Sequence, residues 1–477
     1  MTKICAAVTN PDDGISAARS GADAVEYRLD LFAKVPDDFS FFRCSTLEGT
    51  PVPTIATFRG LEDAELFEKA FEAGASLADI EGTSALRDEF PGKTICSVHD
   101  FEKTPLAPEI LELMRDLSDS GIPKGAFSVS SIADLLSIAD AAAVLRKAGK
   151  PFILIGMGTA GKLTRVRAET LGSYVTYVSN GVSAAPGELT LAETRALTLH
   201  PMVTGLIGSR EAVKKSLSPV MHRAAFASAG IPGIYLPFAV SDEEIPLIPR
   251  LMEVYEIDGL NVTMPHKQRI IPYLSTISAS AKRAGAVNTI SKDAASGKLT
   301  GHNTDIAGVE ALFSGFSPAG KRVLLLGAGG AARAASVYLK DAGAEITVAN
   351  RTFEHAASLA SLCGGTAVPL SGLDSGYDAV LVASPVSPVP PDAVLKEGVF
   401  VCDMRYPDSD FLQAARAAGC RTASGLSMLA AQGAASFTLW TGKEADISVM
   451  NDAVVNDAAG NNAVRNDPAN EAFRGVK

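Results

Sequence analysis

The chain has 477 residues, 47% of them hydrophobic, which is enough for two or three domains with sizeable cores and excludes a disordered or fibrous protein. A formal net charge of -11 argues against a nucleic-acid partner or an anionic membrane surface, while leaving room for local basic pockets that take small anions. The six cysteines (Cys5, Cys44, Cys96, Cys363, Cys402, Cys420) include no CxxC pair and no neighbouring His at metal-ligand spacing, so they read as reduced thiols of a cytoplasmic protein without a metal centre.

The opening MTKICAAVTNPDDG holds too short an apolar run for a signal peptide, and no uninterrupted stretch of about twenty apolar residues follows, so a soluble protein is expected. Up to about residue 200, short β-type runs alternate with helix-type runs: KICAAVT, ADAVEYRLD, PTIATFR, LADIEG, TICSVHDF, IPKGAF, FILIGMG and YVTYVS. Eight βα units in about 200 residues predict an α/β fold that starts with a (β/α)8 barrel, domain 1-200. An open eight-stranded sheet would leave two edges, and nothing in these runs blunts them. The sixth run carries Lys124 in GIPKGAFS. A lysine in an enclosed strand ordinarily sits at its end with the ammonium in water, and composition alone favours that reading.

Near HPMVTGLIGS a second pattern begins and runs through YLPFAV and GLNVTMP to the hairpin-like AVNTISKDAASGKLTGHNTD. KRVLLLGAGGAARAASVYLKDAGAEITVANRT then reads as strand, glycine turn, helix and strand. A two-domain α/β arrangement follows: a substrate domain at 201-305 and a Rossmann-type nucleotide domain at 306-442, closed by a helix around SMLAAQGAASFTLWTG that packs back. From 443 to 477 the composition shifts to Asn, Asp and Ala and predicts a disordered tail.

The glycine string alone would be a weak signal, but Gly327, Gly329, Gly330 and Ala331 lie between an apolar strand and a helix whose N-terminal amides suit a pyrophosphate. About twenty residues on, where an NAD enzyme places an acidic side chain, stand Asn350, Arg351 and Thr352. A guanidinium and a hydroxyl suit a 2'-phosphate, so NADP is the expected cofactor.

Over about residues 203 to 442 the chain resembles shikimate dehydrogenase, through KSLSP, NVTMPHK, AGAVNT, GHNTD, GAGG, NRT, DMRYP and GLSMLAAQ in order. The resemblance implies that Ser216 and Ser218 hold a substrate carboxylate and that Asn288, Asp305 and Lys267 grip ring hydroxyls. Asn261, Thr263, Tyr406 and Gln432 are further substrate residues, and Gly425 joins the cofactor set. Lys267 and Asp305 would pass a proton to or from the oxygen that changes redox state; an ordinary ion pair is the competing reading. ASPVSP at 383–388 departs from the family's Asn-Ala-Thr or Asn-Ala-Ser.

Residues 1 to 195 look like a type I 3-dehydroquinate dehydratase, through EYRLD (Glu26, Arg28), TFR (Arg59), VHDF (His99), IPK (Lys124), MGTAGKLTR (Arg165) and APGE (Glu188). These fall at or beyond predicted strand ends, the face where barrels place chemistry. On that reading Lys124 is an inward, desolvated amine near the cations Arg28 and Arg59, with a depressed pKa, and forms a Schiff base. His99 is the proton carrier, and Arg165 grips the substrate carboxylate.

Two departures stand out in this half. Asp63 replaces the family's Glu, and Ala184-Ala185-Pro186-Gly187-Glu188 replaces Ser-Ala-Pro-Gly-Gln. A carboxylate some 5 Å from an anionic substrate costs roughly 3 kcal/mol at an effective dielectric near 20. The expected protein is thus a bifunctional lyase and oxidoreductase of aromatic amino-acid biosynthesis, acting on 3-dehydroquinate, then on 3-dehydroshikimate with NADPH to give shikimate. The rival readings are a shikimate or quinate dehydrogenase with a weakened or structural barrel, and a non-catalytic sensor. Oligomeric state stays open.

Overall fold

The computed structural model describes residues 2–47, 49–180, 187–197, 200–406 and 408–458. The chain divides into two compact units, one of Met1–Pro201 with Arg250–Glu256 and a second of Met202–Pro249 with the described residues from Ile257.

All eight expected strands of the first unit are present: β1 (Lys3–Val8), β2 (Ala24–Arg28), β3 (Thr54–Thr57), β4 (Leu77–Glu81), β5 (Thr94–Asp100), β6 (Ile122–Ser128), β7 (Ile153–Met157) and β8 (Val175–Ser179). Each pairs in parallel with the next from β1 to β7, and β8 pairs with β1. The seam between β7 and β8 is bridged by the Tyr174 amide donating to Phe152 O at 2.7 Å, so the barrel is nearly closed.

Side chains alternate faces along each strand, and this sorts the chemistry. Cys5, Ala24, Ile55, Ile95, Ile153 and Val175 form one buried apolar cluster, with Leu77 and Ile122 packed against it. Val25, Tyr27, Ala56 and Ile80 belong to a different cluster, shared with the surrounding helices. Two residues further along the same inward faces come Glu26, Thr57, Asp79, Ser97, Lys124 and Tyr177, all buried. The polar site therefore rests directly on an apolar floor.

In the second unit β9 (Met202–Gly208), β10 (Gly233–Ala239), β11 (Gly259–Val262), β12 (Thr276–Ile277), β13 (Thr289–Lys292) and β14 (Leu299–His302) form a mixed sheet in the order β10-β9-β11-β13-β14-β12. The expected hairpin is the antiparallel pair β13 and β14. A second sheet is wholly parallel: β15 (Arg322–Leu326), β16 (Glu345–Ala349), β17 (Thr366–Ala367), β18 (Ala379–Val382), β19 (Phe400–Asp403) and β20 (Arg421–Ser424), in the order β17-β16-β15-β18-β19-β20. That is the doubly wound dinucleotide-binding order, which reverses direction between β15 and β18.

The helix Gly425–Thr441 ends the expected pattern, but the chain does not become a tail at 443. Ile447–Ala458 is a further helix. Met450 and Val454, four apart on one face, are buried with Leu217, Met221, Phe226 and Phe437. The Asn and Asp content hid this stripe; the remainder of the expected tail, from 459, lies outside the described residues. No helix among the described residues is long and apolar enough to cross a membrane.

Candidate functional site

Lys124 does not end its strand in water. It stands on β6 in register with Ser97 of β5 and is only 4% exposed. Its Nζ donates to Asp79 Oδ2 at 2.5 Å, lies 4.0 Å from Glu26 Oε1, and sits 4.2 Å from the centre of the Tyr177 ring. The charges bonded to this amine are thus carboxylates, while Arg28 and Arg59, the cations expected near it, act on Asp79 beside it. Ser97 donates to Asp79 Oδ1 at 2.6 Å and Thr57 to Glu26 Oε1 at 2.9 Å. Burial alone would raise the Asp79 carboxyl, but Lys124 above all, then Arg59 and His99, hold it well below the usual carboxylate range.

His99, near the end of β5, faces two partners. Arg59 Nη2 lies 3.0 Å from Nε2, and Glu81 Oε1 lies 2.8 Å from Nδ1. Arg59 also pairs with Glu81 at 3.0 Å. Burial lowers the pKa of His99; Glu81 opposes this, while Lys124 and Arg59 reinforce it. The imidazole is therefore neutral near pH 7, as a general base requires.

Arg28 is clamped by Asp30 through bonds of 3.0 and 2.6 Å. Arg165, on the helix Gly158–Val166 after β7, is buried and donates from Nη1 to Tyr177 O at 3.2 Å. Its Nε has no hydrogen-bond partner among the described residues. Desolvation pulls the guanidinium pKa down and the Glu188 carboxylate partly restores it, so the departing residue of the loop acts on Arg165. Ala184, Ala185 and Pro186 lie outside the described residues. Asp63 caps the helix Ala64–Glu72 by accepting from the Glu65 amide, and Glu81 is the carboxylate against His99.

In the second unit Lys267 Nζ donates to Asp305 Oδ2 at 2.5 Å, and Asn288 Nδ2 donates to Asp305 Oδ1 at 2.8 Å. Both oxygens of one carboxylate are thereby fixed at the wall of a cavity of about 260 Å³. Ser216, Ser218, Asn261, Thr263, Tyr406 and Gln432 also line it. Asn261 is fully committed: its amide donates to Thr289 Oγ1 at 3.1 Å and Ser436 Oγ at 3.0 Å, and its oxygen accepts from Tyr235 at 2.8 Å. It shapes the wall with side-chain groups already satisfied. Gly425, expected in the cofactor set, lines this same cavity; a Cβ there would lie 2.4 Å from Met404 O.

A neighbouring cavity of about 360 Å³ lies where the parallel sheet reverses. Gly329, Gly330 and Ala331 follow β15, Ser384 and Val386 follow β18, and Asn350 with Arg351 follow β16. Lys267 borders both cavities. Gly327 sits behind the wall at φ 121°, where a Cβ would approach Ala383 O to 2.9 Å. Thr352 precedes the helix Phe353–Cys363 without lining the cavity. The Gly330 Cβ position is only 2.9 Å from Lys267 Cδ, so the bare backbone keeps the cleft open. An anion-binding helix N-terminus, with a guanidinium across the cleft, fits a dinucleotide phosphate.

The sequence reading missed Asp79 and Glu81 in LADIEG, whose spacing of two in an apolar strand was the available signal. It also missed Thr289, Thr304 and Ser436, which carry nothing distinctive until the fold packs them around Asn288 and Asn261.

A family model for type I 3-dehydroquinase matches residues 7–200. Others match the shikimate dehydrogenase substrate binding domain at 206–290, the shikimate / quinate 5-dehydrogenase at 310–387 and the shikimate 5'-dehydrogenase C-terminal domain at 425–455. A shikimate dehydrogenase (NADP(+)) of Moorella thermoacetica is 42% identical over 263 residues, covering 50% of this chain and 88% of that protein. A chloroplastic bifunctional 3-dehydroquinate dehydratase/shikimate dehydrogenase of Arabidopsis thaliana is 29% identical over 486 residues, covering 89% of this chain and 78% of that one. Among solved structures, the shikimate dehydrogenase of Thermus thermophilus in complex with NADP(H) and shikimate aligns at TM-score 0.50 with 37% identity, covering 54% of this chain and 99% of that one.

Proposed function

This chain belongs to the shikimate dehydrogenase family and carries a type I 3-dehydroquinase unit ahead of it, and from that premise we propose how its two sites divide the work. The protein is a bifunctional enzyme that dehydrates 3-dehydroquinate to 3-dehydroshikimate and reduces that product to shikimate with NADPH. The observation that carries the reading is that each unit keeps its proton-transfer machinery: Lys124 and His99 in the barrel, Lys267 with Asp305 in the other.

In the barrel, Lys124 adds through Nζ to the substrate ketone once it has given up a proton to water, and the carbinolamine loses water to leave a cationic iminium. His99 Nε2 takes the proton from the adjacent carbon, the C–H electrons become an enamine, and the enamine expels the β-hydroxyl as His99 returns a proton to it. Water then hydrolyses the iminium, releasing the enone and the amine. Arg165 and Arg28 bind the carboxylate and polar face of the substrate; Arg59, which caps the His99 lone pair at rest, moves onto the ligand. In the second unit Ser216, Ser218, Thr263, Tyr406 and Gln432 orient the ring, with Lys267 and Asp305 at the oxygen that gains a proton. Gly329, Gly330, Ala331, Asn350 and Arg351 would hold NADPH, which supplies the hydride. A cytoplasmic location belongs to the same proposal, supported by six cysteines held as thiols.

Full-length protein given 3-dehydroquinate and NADPH is expected to show transient enone absorbance followed by NADPH oxidation. NADPH loss with added 3-dehydroshikimate, without enone formation from 3-dehydroquinate, would instead mean that only the second unit is active.

A further inference from the structure

The barrel sets one carboxylate directly against the nitrogen that must become and stay positive. Asp79 Oδ2 lies 2.5 Å from Lys124 Nζ, with the two side chains only 1% and 5% exposed. Its other oxygen is held by Ser97 at 2.6 Å. Glu26 is the only other carboxylate paired with Nζ among the described residues, at 4.0 Å and tied to Thr57. Below the amine lies the apolar floor, and beside it the face of Tyr177.

We propose that Asp79 is the counter-ion of the covalent adduct, holding the iminium of Lys124 in its protonated form while His99 removes the carbon-bound proton. The inference rests on the Schiff-base reading and deepens it. When that proton leaves, the C–H electron pair forms the enamine double bond and the C=N pair returns to nitrogen. A protonated nitrogen accepts this pair and becomes neutral; an unprotonated imine would have to become a nitrogen anion. An ammonium and an iminium carry the same charge at Nζ, so the Asp79 carboxylate and its Ser97 bond serve both without rearrangement.

The test compares the full chain with Asp79→Asn. Both are treated with borohydride across pH in the presence of the enone product, and mass spectrometry reads the adduct on Lys124, because hydride reduces the cationic iminium. The titratable groups acting on this amine are Asp79, Glu26, Tyr177, Cys5 and His99, with His99, Arg28 and Arg59 also acting on Asp79. The readout is therefore the difference between parent and variant. In the variant the alkaline limb of trapping should move down by a pH unit or more, with dehydratase kcat reduced about 100-fold and KM changed less than about threefold. Asp79→Glu should restore part of the yield, and Ser97→Ala, which keeps the carboxylate, should shift the limb less and in the same direction. An unchanged limb in both Asp79→Asn and Ser97→Ala overturns the counter-ion. A parent enzyme that gives no adduct at Lys124 overturns the Schiff base and the counter-ion together. A thermal melt of the full chain followed by circular dichroism reports separately whether the barrel of each variant has folded.

Discussion

Arg59 Nη2 lies 3.0 Å from His99 Nε2, and because a guanidinium has only protons to give, that ring nitrogen accepts and its proton resides on Nδ1, facing Glu81. The pair thus sets both the tautomer and the basicity of the proton carrier. Burial lowers the His99 pKa below its ordinary value of 6.5, so the acid limb of dehydratase kcat/KM that belongs to this base should lie below pH 6.5. Glu81→Gln removes the group that opposes that shift most. The limb should move further down while kcat falls about 10²-fold from loss of orientation, read from enone formation across pH.

Glu188 supplies a charge that Arg165 meets before the substrate arrives. Glu188→Gln should free the guanidinium for the substrate carboxylate and lower KM for 3-dehydroquinate about tenfold with kcat nearly unchanged, a uniform binding change. Equal KM values at matched ionic strength would mean that this carboxylate turns away from the bound ligand.

For the dehydrogenase, Lys267→Met should leave Asp305 held by Asn288 but without its proton partner. NADPH-dependent reduction should fall about 10²- to 10⁴-fold in kcat. Dehydration of 3-dehydroquinate by the same variant serves as the internal control.

Arg351 lines the nucleotide cavity beside Asn350. Arg351→Ala should weaken NADPH by roughly 1.5 to 3 kcal/mol, the loss of one charge-assisted contact, and leave NADH almost untouched. Equal weakening of both, in a fluorescence titration, would make the residue structural.

His222 is fully buried, stacked 4.4 Å from the Tyr235 ring, and burial pushes its pKa down to about 3. The unfolded chain takes up a proton here below about pH 6.5, whereas the folded unit does not until pH approaches 3. Stability is therefore intact above 6.5 and is lost as pH falls through that window, at up to roughly 1.4 kcal/mol per pH unit. His222→Phe should flatten this slope in denaturant unfolding followed through the second unit.

Much of this was legible in one dimension. Eight short β-type runs alternating with helix-type runs in about 200 residues specify a barrel, because an open sheet of that many strands would leave two bare edges. A glycine turn between an apolar strand and a helix specifies a phosphate cradle. Lys124, His99, Lys267 and Asp305 could be named because the motifs that carry them resemble those of two known families, whereas composition alone placed Lys124 at a strand end in water. What surrounds them depended on register across strands far apart in the chain. Only the barrel brings Asp79 from 45 residues away to Lys124, and so sets a carboxylate against an amine for which only cationic neighbours were expected. Only packing converts the Asn- and Asp-rich segment at Ile447–Ala458 into a helix, since two buried side chains, Met450 and Val454, outweigh a composition that reads as solvent-exposed. Charge, once buried, acts on whichever group the fold makes its neighbour, and a linear sequence does not record that distance.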